Sequence, residues 1–316
     1  MLNTALKYFL AVVNAGSLTV AAQKLHVAPS AVSRMIKKLE DKHQTSLFDR
    51  HARGMVLTEA GELLAAYARR AYLESERAHA EIRDLSYIGQ KLIKLSANQA
   101  FGRELLPRAI GEFRKIEPQV SFELNVLQSS EINRRVRKGE DDIGLSYNLS
   151  PPEGVHIQYA RRMPVFAVMS PDHALATRPT LSMRDIADWP VALMGPGSTI
   201  RFIVDLCCMH EKIKLNIALT SNNQGAIQNF CRDWGIISFS GDLTVLESLE
   251  SDKLVAIPMT NDELRQRTLH IQTLSGRELP LSAERFVQRV IHHIDTSYEG
   301  KRLQQLAWPL ANDPSS

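Results

Sequence analysis

Hydroxyl and basic side chains recur on one face of a short predicted helix near the start of the sequence. That face carries Ser30, Ser33, Arg34, Lys37 and Lys38. Short hydroxyl side chains near a helix start reach base edges in the major groove of DNA, and arginine pairs bidentately with guanine. Lysines further along the helix contact phosphates and position it without reading sequence. The pattern favours a DNA-reading helix, and the alternative is a charged face that is merely solvated.

A second group of basic residues follows in a predicted hairpin. Leu47 and Phe48 are apolar, residues 51–54 form a polar turn, and residues 55–57 return as a short strand. This arrangement predicts a β-wing. Arg50 and Arg53 are then placed to lie along a phosphate backbone or to enter a narrow minor groove.

The distribution of charge agrees with a DNA-binding head. Residues 1–56 contain eight basic and three acidic residues, a net charge of +5, whereas the whole chain carries +3. The remainder therefore carries −2. A small basic head on a slightly acidic body is expected if only the head meets phosphate.

Three short helices must position these side chains. Apolar residues at spacings of three and four predict the first helix, which a Gly16-Ser17 pair ends. Ser17 or Thr19 starts the second helix. Pro29 opens the third, whose buried face consists of Val32, Ile36 and Leu39.

A long proline-free helix is predicted over residues 58–88, and it would extend for about 45 Å. A helix of this length has no small domain to lie against, so its apolar stripe needs a partner. We expect the same helix of a second subunit, and the alternative is a surface helix packed on its own chain. The stripe consists of Ala60, Leu64, Tyr67, Ala71, Ala78, Ile82 and Leu85.

Beyond residue 90 the sequence alternates between predicted strands and predicted helices, which indicates parallel sheets covered by helices. A region of this size is expected to form two α/β lobes with a cleft. The predicted strands are Lys91–Asn98, Val120–Leu127, Asp142–Tyr147, Val165–Ser170, Val191–Met194, Asn216–Thr220, Ile236–Phe239 and Leu269–Thr273. The predicted helices are Arg103–Ile116, Ser130–Lys138, Thr199–Glu211, Gln224–Arg232 and Ala283–Asp295.

The composition of the 316 residues, with 44% apolar and 23% charged, is that of a soluble globular protein. No secretion signal or run of about 20 apolar residues is found, so we expect a cytoplasmic protein without membrane contact. We find no nucleophile elbow, phosphate-cradling glycine loop or metal-spaced His/Cys cluster. We therefore expect no enzyme, no catalytic residue, no metal and no cofactor.

Across its first sixty or so residues the sequence resembles the LysR-type transcriptional regulators. The shared residues include Gly16-Ser17-Leu18-Thr19, Ala21-Ala22, Pro29 to Ser33, Leu47-Phe48-x-Arg50 and Leu57-Thr58-x-Ala60-Gly61. The resemblance implies two lobes similar to periplasmic binding proteins, with a small-molecule effector in the cleft between them. It also implies double-stranded DNA as a partner, self-association as a dimer or tetramer, and RNA polymerase as a further possible partner.

The expected fold class is thus an α+β multidomain protein. We expect a winged helix-turn-helix domain over 1–57, a dimerising linker helix over 58–89, a two-lobed effector-binding domain over 90–297 and a loosely ordered tail over 298–316.

Three positions depart from the family pattern. Ala28 stands where a hydroxyl usually caps the recognition helix, and a lost cap of this kind typically costs about 1 kcal/mol. His43 and Gln44 stand where the family has a leucine and then a helix-ending glycine. The third helix is therefore predicted to end without the glycine that usually takes up the left-handed conformation.

The resemblance also implies effector contacts at strand ends and the helix starts that follow them, where backbone N–H groups favour anions. Ser198, Thr199 and Arg201 favour a carboxylate, so an organic acid is expected. The full predicted set is Asn98, Gln99, Phe101, Gln128, Ser129, Tyr147, Ser198, Thr199, Arg201, Asn222 and Asn223.

Two alternative functions remain open. One is a nucleoid-type DNA binder that needs no effector. The other, less favoured, is a redox-sensing regulator that uses Cys207, Cys208 and Cys231. Some relatives switch through a disulfide, but their peroxide-reactive cysteine corresponds to Thr199 here, and adjacent cysteines in a helix pair only with strain.

Overall fold

The computed structural model describes residues 3–51, 54–85, 91–241 and 254–299. The chain divides into an N-terminal and a C-terminal compact unit, and each is described by itself. Most of the predicted tail lies outside the described residues.

The N-terminal unit is a winged helix-turn-helix, as predicted. Three helices pack around Phe9, Val12, Val32 and Ile36, and a two-stranded antiparallel hairpin and a long helix complete the unit. Its elements are α1 (Thr4–Ala15), α2 (Leu18–Leu25), α3 (Pro29–His43), β1 (Phe48–His51), β2 (Gly54–Leu57) and α4 (Glu59–Leu85).

The ends of the short helices follow from local chemistry. The Ser17 side chain accepts a hydrogen bond from the Val20 amide at the start of α2. Ala28 provides no such cap for α3, but Pro29 occupies the first turn, where its fixed φ suits the helix. Gln44 ends α3 in the left-handed region at φ 52°, and its amide donates to the Glu40 carbonyl. A non-glycine residue thus ends the helix at His43.

The start of α4 is held against the rest of the unit. The Thr58 hydroxyl donates to the Ser46 carbonyl (2.7 Å) and accepts from the Gly61 amide (3.0 Å). Ala65 and Ala68 are buried in the same core as α1 to α3. Because α4 packs closely here, an added Cβ at Gly61 would lie 2.1 Å from the Leu47 carbonyl oxygen.

The apolar stripe of α4 differs in part from the prediction. Ala60 and Leu64, which were assigned to a partner, pack against the core of their own unit. Tyr67, a member of the predicted stripe, is 53% exposed, and Leu63, which the prediction did not include, is 71% exposed. The side chains of Ile82 and Leu85 lie outside the described residues.

The first lobe of the C-terminal unit has a five-stranded sheet in the order β4-β3-β5-β12-β6. The strands are β3 (Lys91–Ala97), β4 (Val120–Val126), β5 (Ile143–Asn148), β6 (Val155–Arg162) and β12 (Thr268–Leu274). Its helices are α5 (Gln99–Gly102), α6 (Leu105–Ile116), α7 (Ser129–Arg137) and α11 (Leu281–Glu299).

The second lobe has a five-stranded sheet in the order β11-β7-β10-β8-β9. The strands are β7 (Val165–Met169), β8 (Pro190–Met194), β9 (Asn216–Ser221), β10 (Ile237–Gly241) and β11 (Val255–Pro258). Its helices are α8 (Met183–Ile186), α9 (Thr199–Glu211) and α10 (Gln224–Trp234).

The two lobes confirm the predicted α/β class, but the sheets are mixed and not parallel throughout. The pairs β3–β5, β8–β9 and β8–β10 are parallel. The pairs of β12 with β5 and β6, and of β7 with β10 and β11, are antiparallel. The reason is that the chain passes from one lobe to the other twice, between β6 and β7 and between β11 and β12. The strands next to these two passages run antiparallel to their neighbours.

Candidate functional site

Helix α3 presents the predicted DNA-reading side chains on one face. Val32, Ile36 and Leu39 are buried in the core, which turns the opposite face outward. Arg34, Lys37 and Lys38 are exposed there with Ser30, and Ser33 is half-buried. In the described part of the chain, no side chain hydrogen bonds or pairs with any of these three cations. They are therefore available to a polyanion.

The predicted wing is present as the hairpin β1–β2, in which Phe48 pairs with Leu57 and His51 pairs with Gly54. The Met55 amide donates to the Gly16 carbonyl (3.0 Å), which fixes the hairpin to the turn between α1 and α2. Arg50 belongs to β1, but its side chain lies outside the described residues, as does the whole of Arg53.

The C-terminal unit contains a cavity of about 440 Å³ between its two lobes. Strand ends and helix starts from both lobes line it, as the predicted site requires. The predicted residues that line it are Asn98, Gln99, Gln128, Ser129, Tyr147, Ser198, Thr199 and Asn222.

The other three predicted residues lie elsewhere. Phe101 is buried and packs against Tyr147, with 4.8 Å between ring centroids. Arg201 lines an adjacent depression, and its Nε donates to both Asp205 carboxylate oxygens (2.8 and 2.9 Å). Asn223 caps α10 by accepting from the Ala226 amide (3.1 Å), and lines a third depression.

Two of the lining residues are occupied in holding the first lobe together. The Asn98 side-chain oxygen accepts from the Tyr147 amide (2.8 Å), and its amide group donates to the Leu127 carbonyl (3.0 Å). The Ser129 hydroxyl lies within hydrogen-bonding distance of the Tyr147 carbonyl (2.8 Å) and of Asn98 Oδ1 (3.1 Å). These groups shape the cavity and leave less capacity for a ligand.

Hydrogen bonds also cross the cavity from one lobe to the other. The Thr199 hydroxyl donates to the Tyr147 carbonyl (2.9 Å). The Gln224 amide donates to Gln99 Oε1 (2.9 Å). These two hydrogen bonds join the lobes directly at the walls of the cavity.

Sequence reasoning missed Arg267, the charged residue that lines this cavity. It is 2% exposed, and its Nε donates to the Met163 carbonyl (3.2 Å). Its guanidinium carbon lies 3.9 Å from the centre of the Tyr147 ring, a cation–π contact. The available signal was an arginine directly before a strand that is buried along most of its length.

The three cysteines are free thiols. Burial raises the pKa of both Cys207 and Cys231 to about 12, with Glu263 adding to the effect at Cys207. Burial also raises the pKa of Cys208. All three remain protonated at neutral pH, which disfavours reaction with peroxide because the thiolate is the nucleophile.

Two kinds of feature are absent from the described ranges. In residues 3–51, 54–85, 91–241 and 254–299, no group of three His, Cys, Asp or Glu side chains is arranged to hold a metal ion. Across those same ranges, no helix is both long and apolar enough to cross a membrane.

Comparison with known protein families accounts for both units. Residues 4–62 match the bacterial regulatory helix-turn-helix proteins of the lysR family, and residues 89–295 match the LysR substrate binding domain. The chain belongs to the LysR family of transcriptional regulators. It is thus a DNA-binding regulator with an effector-binding domain, as the resemblance of its first sixty residues implied.

Individual relatives of this LysR-type regulator align over nearly its whole length. The uncharacterised transcriptional regulator YybE of Bacillus subtilis is 28% identical, over 91% of this chain and 97% of its own. Full-length OxyR of Pseudomonas aeruginosa has the same fold, with a TM-score of 0.62 at 20% identity, covering 92% of this chain and 93% of its own. CbnR in complex with its target DNA has a TM-score of 0.52 at 19% identity, covering 92% of this chain and 98% of its own.

Proposed function

We propose that this LysR-type regulator reads a specific DNA site through Ser33 and Arg34 of α3. The exposed face of α3 carries this proposal, because its cations have no partner within the described residues. Ser30 reaches a base edge beside them, and Lys37 and Lys38, with Arg50 and Arg53 of the wing, contact the DNA backbone in this proposal. The proposal is supported by CbnR, a protein of the same fold, whose structure is known in complex with its target DNA.

The same proposal includes a dimer formed through α4 and an organic-acid effector bound between the lobes. The exposed Leu63 and Tyr67 support the first part, because an apolar face on a long helix requires cover. The second is supported by a cavity of about 440 Å³, the size of a small-molecule site, whose described lining includes no acidic residue. The effector changes the lobe angle, the spacing of the two heads and so the access of RNA polymerase.

A footprint on genomic fragments, including the region upstream of its own gene, tests the DNA-reading proposal. We expect a discrete protected site that Arg34→Ala weakens about five- to a hundredfold, because a bidentate base contact is worth about 1–3 kcal/mol. Ser33→Ala should also weaken it. Lys7→Ala is the matched control, since Lys7 is exposed on α1.

Diffuse, salt-sensitive binding that neither α3 substitution changes would contradict this proposal and favour a nucleoid-type binder. A redox switch has less support, because the described thiols are protonated and none lies at the position of Thr199.

A further inference from the structure

Arg267 is a buried cation without full compensation. In the described part of the chain, its Nη2 atom is buried and has no hydrogen-bond partner. Leaving a buried donor of a charged group unpaired is costly. At the wall of a cavity, such an arginine can be paired by an anion that enters the cavity.

The described residues around this guanidinium hold it in place, and none of them neutralises it. The Met163 carbonyl fixes Nε, and the Tyr147 ring supports the planar face. On the other lobe, Gly241 leaves the space that the guanidinium fills, because a Cβ there would lie 1.9 Å from Nη2. These three contacts orient the charge, and none of them supplies an anion.

Arg201 has a carboxylate partner within the protein, and Arg267 has none among the described residues. The sequence assigned the carboxylate to Ser198, Thr199 and Arg201. The Asp205 carboxylate already binds the Arg201 guanidinium (2.8 and 2.9 Å), and Arg201 lines an adjacent depression. Among the described residues that line the cavity between the lobes, Arg267 is the only charged one. The described lining of this cavity therefore carries one positive charge.

We propose that Arg267 is the residue that binds the acidic group of the effector, a monoanionic carboxylate, and that Gly241 is required to admit its guanidinium. This inference rests on the proposed control by an organic acid. A guanidinium binds a carboxylate bidentately, so one cation matches one carboxylate in both charge and geometry. A phosphate dianion would leave a buried negative charge uncompensated. The neutral side chains of Gln128, Ser198 and Asn222 then face the rest of the molecule.

Matched pairs of acid and amide test the assignment on the full chain. The probes are benzoate with benzamide and acetate with acetamide, each titrated calorimetrically into protein held in a buffer free of carboxylates. We expect at least one acid to bind and its amide to bind about tenfold or more weakly, because the amide lacks the charge. Arg267→Met should remove this preference for the acid, and Arg201→Met, the matched control, should retain it.

Gly241→Ala provides a second variant that keeps Arg267. It should weaken binding of the acid because the added methyl group displaces the guanidinium. The melting temperature without probe separates recognition from a structural role. Arg267→Met should melt no lower than the wild type, because the substitution removes an unpaired buried charge.

Equal binding of every acid and its amide by the wild type would overturn the proposal. So would Arg267→Met if it kept the acid preference, or if it lowered the melting temperature and left acid binding unchanged. The footprint, measured on the same preparation without probe, reports separately on DNA reading. A normal footprint with no acid preference refutes the role of Arg267 alone.

Discussion

At the scale of single residues, Gly61 lies where backbone segments approach too closely for any side chain. Gly61→Ala would place a Cβ 2.1 Å from the Leu47 carbonyl oxygen and 2.9 Å from the Leu57 side chain. The N-terminal unit must shift to accept it. We expect Gly61→Ala to lower the free energy of unfolding by about 1–3 kcal/mol, as overpacking does, measured by urea denaturation.

Gly111→Ala is the matched control for this prediction. Gly111 lies within α6, is exposed, and an added Cβ there meets no atom within 4 Å. Alanine is favoured over glycine inside a helix by about 0.5–1 kcal/mol. Gly111→Ala should therefore stabilise the protein slightly, and equal effects of the two substitutions would show that the close contact at Gly61 is wrong.

At the scale of elements, α4 presents apolar side chains that its own unit does not cover. Leu63 and Tyr67 are one turn apart and both exposed. A Leu63→Glu, Tyr67→Glu double variant would put negative charges on this face in both copies of a dimer. We expect it to convert the dimer to a monomer, as measured by light scattering after gel filtration.

Glu62→Ala is the control for α4, because Glu62 is exposed but points away from this face. It should leave the molecular mass in solution unchanged. A double variant that retains the mass of the wild type would mean that self-association uses another surface.

The elements also show how far the sequence could be interpreted. The first three helices, the hairpin and α9 were predictable because apolar spacing and Gly, Ser and Pro signals agree along the chain. Two strands were missed. Strand β6 is an edge strand with alternating burial and four basic or amide side chains, and β11 is short and ends in proline.

The site was predictable only in part. Turns such as that at Asn98 can be predicted from the local sequence, because there the end of a strand directly precedes the start of a helix. The contacts of Arg267 with Tyr147 and Gly241 could not be predicted in this way, because they depend on how the chain crosses between the lobes. The division of α4 into a part that packs on its own unit and a part that is exposed also depends on tertiary packing.

At the scale of the C-terminal unit, each lobe buries one histidine. Burial lowers the pKa of His173 in the second lobe and of His270 in the first. The unfolded chain therefore binds protons more readily than the folded one below about pH 6.5, the ordinary pKa of an imidazole. The stability that neutral burial provides is present above that pH and is lost as the pH falls below it.

We expect the melting temperature to fall between pH 7 and pH 5, and a His173→Gln, His270→Gln double variant to fall less steeply. Differential scanning calorimetry across that range measures both. His156→Gln is a control because His156 is exposed on β6. If the double variant and the wild type respond identically to pH, the two histidines do not cause the effect.

The order of strands in the first lobe has a consequence for the growing polypeptide. Strand β12 lies between β5 and β6, and in the described part of the chain β6 pairs with no other strand. Yet β12 follows the entire second lobe in the chain. On the ribosome, the second lobe emerges as one continuous segment, so its strands β7 to β11 are all available before β12 is translated. Synthesis of the first lobe starts earlier, but its sheet is completed later, because β6 has no strand to pair with until β12 has been translated.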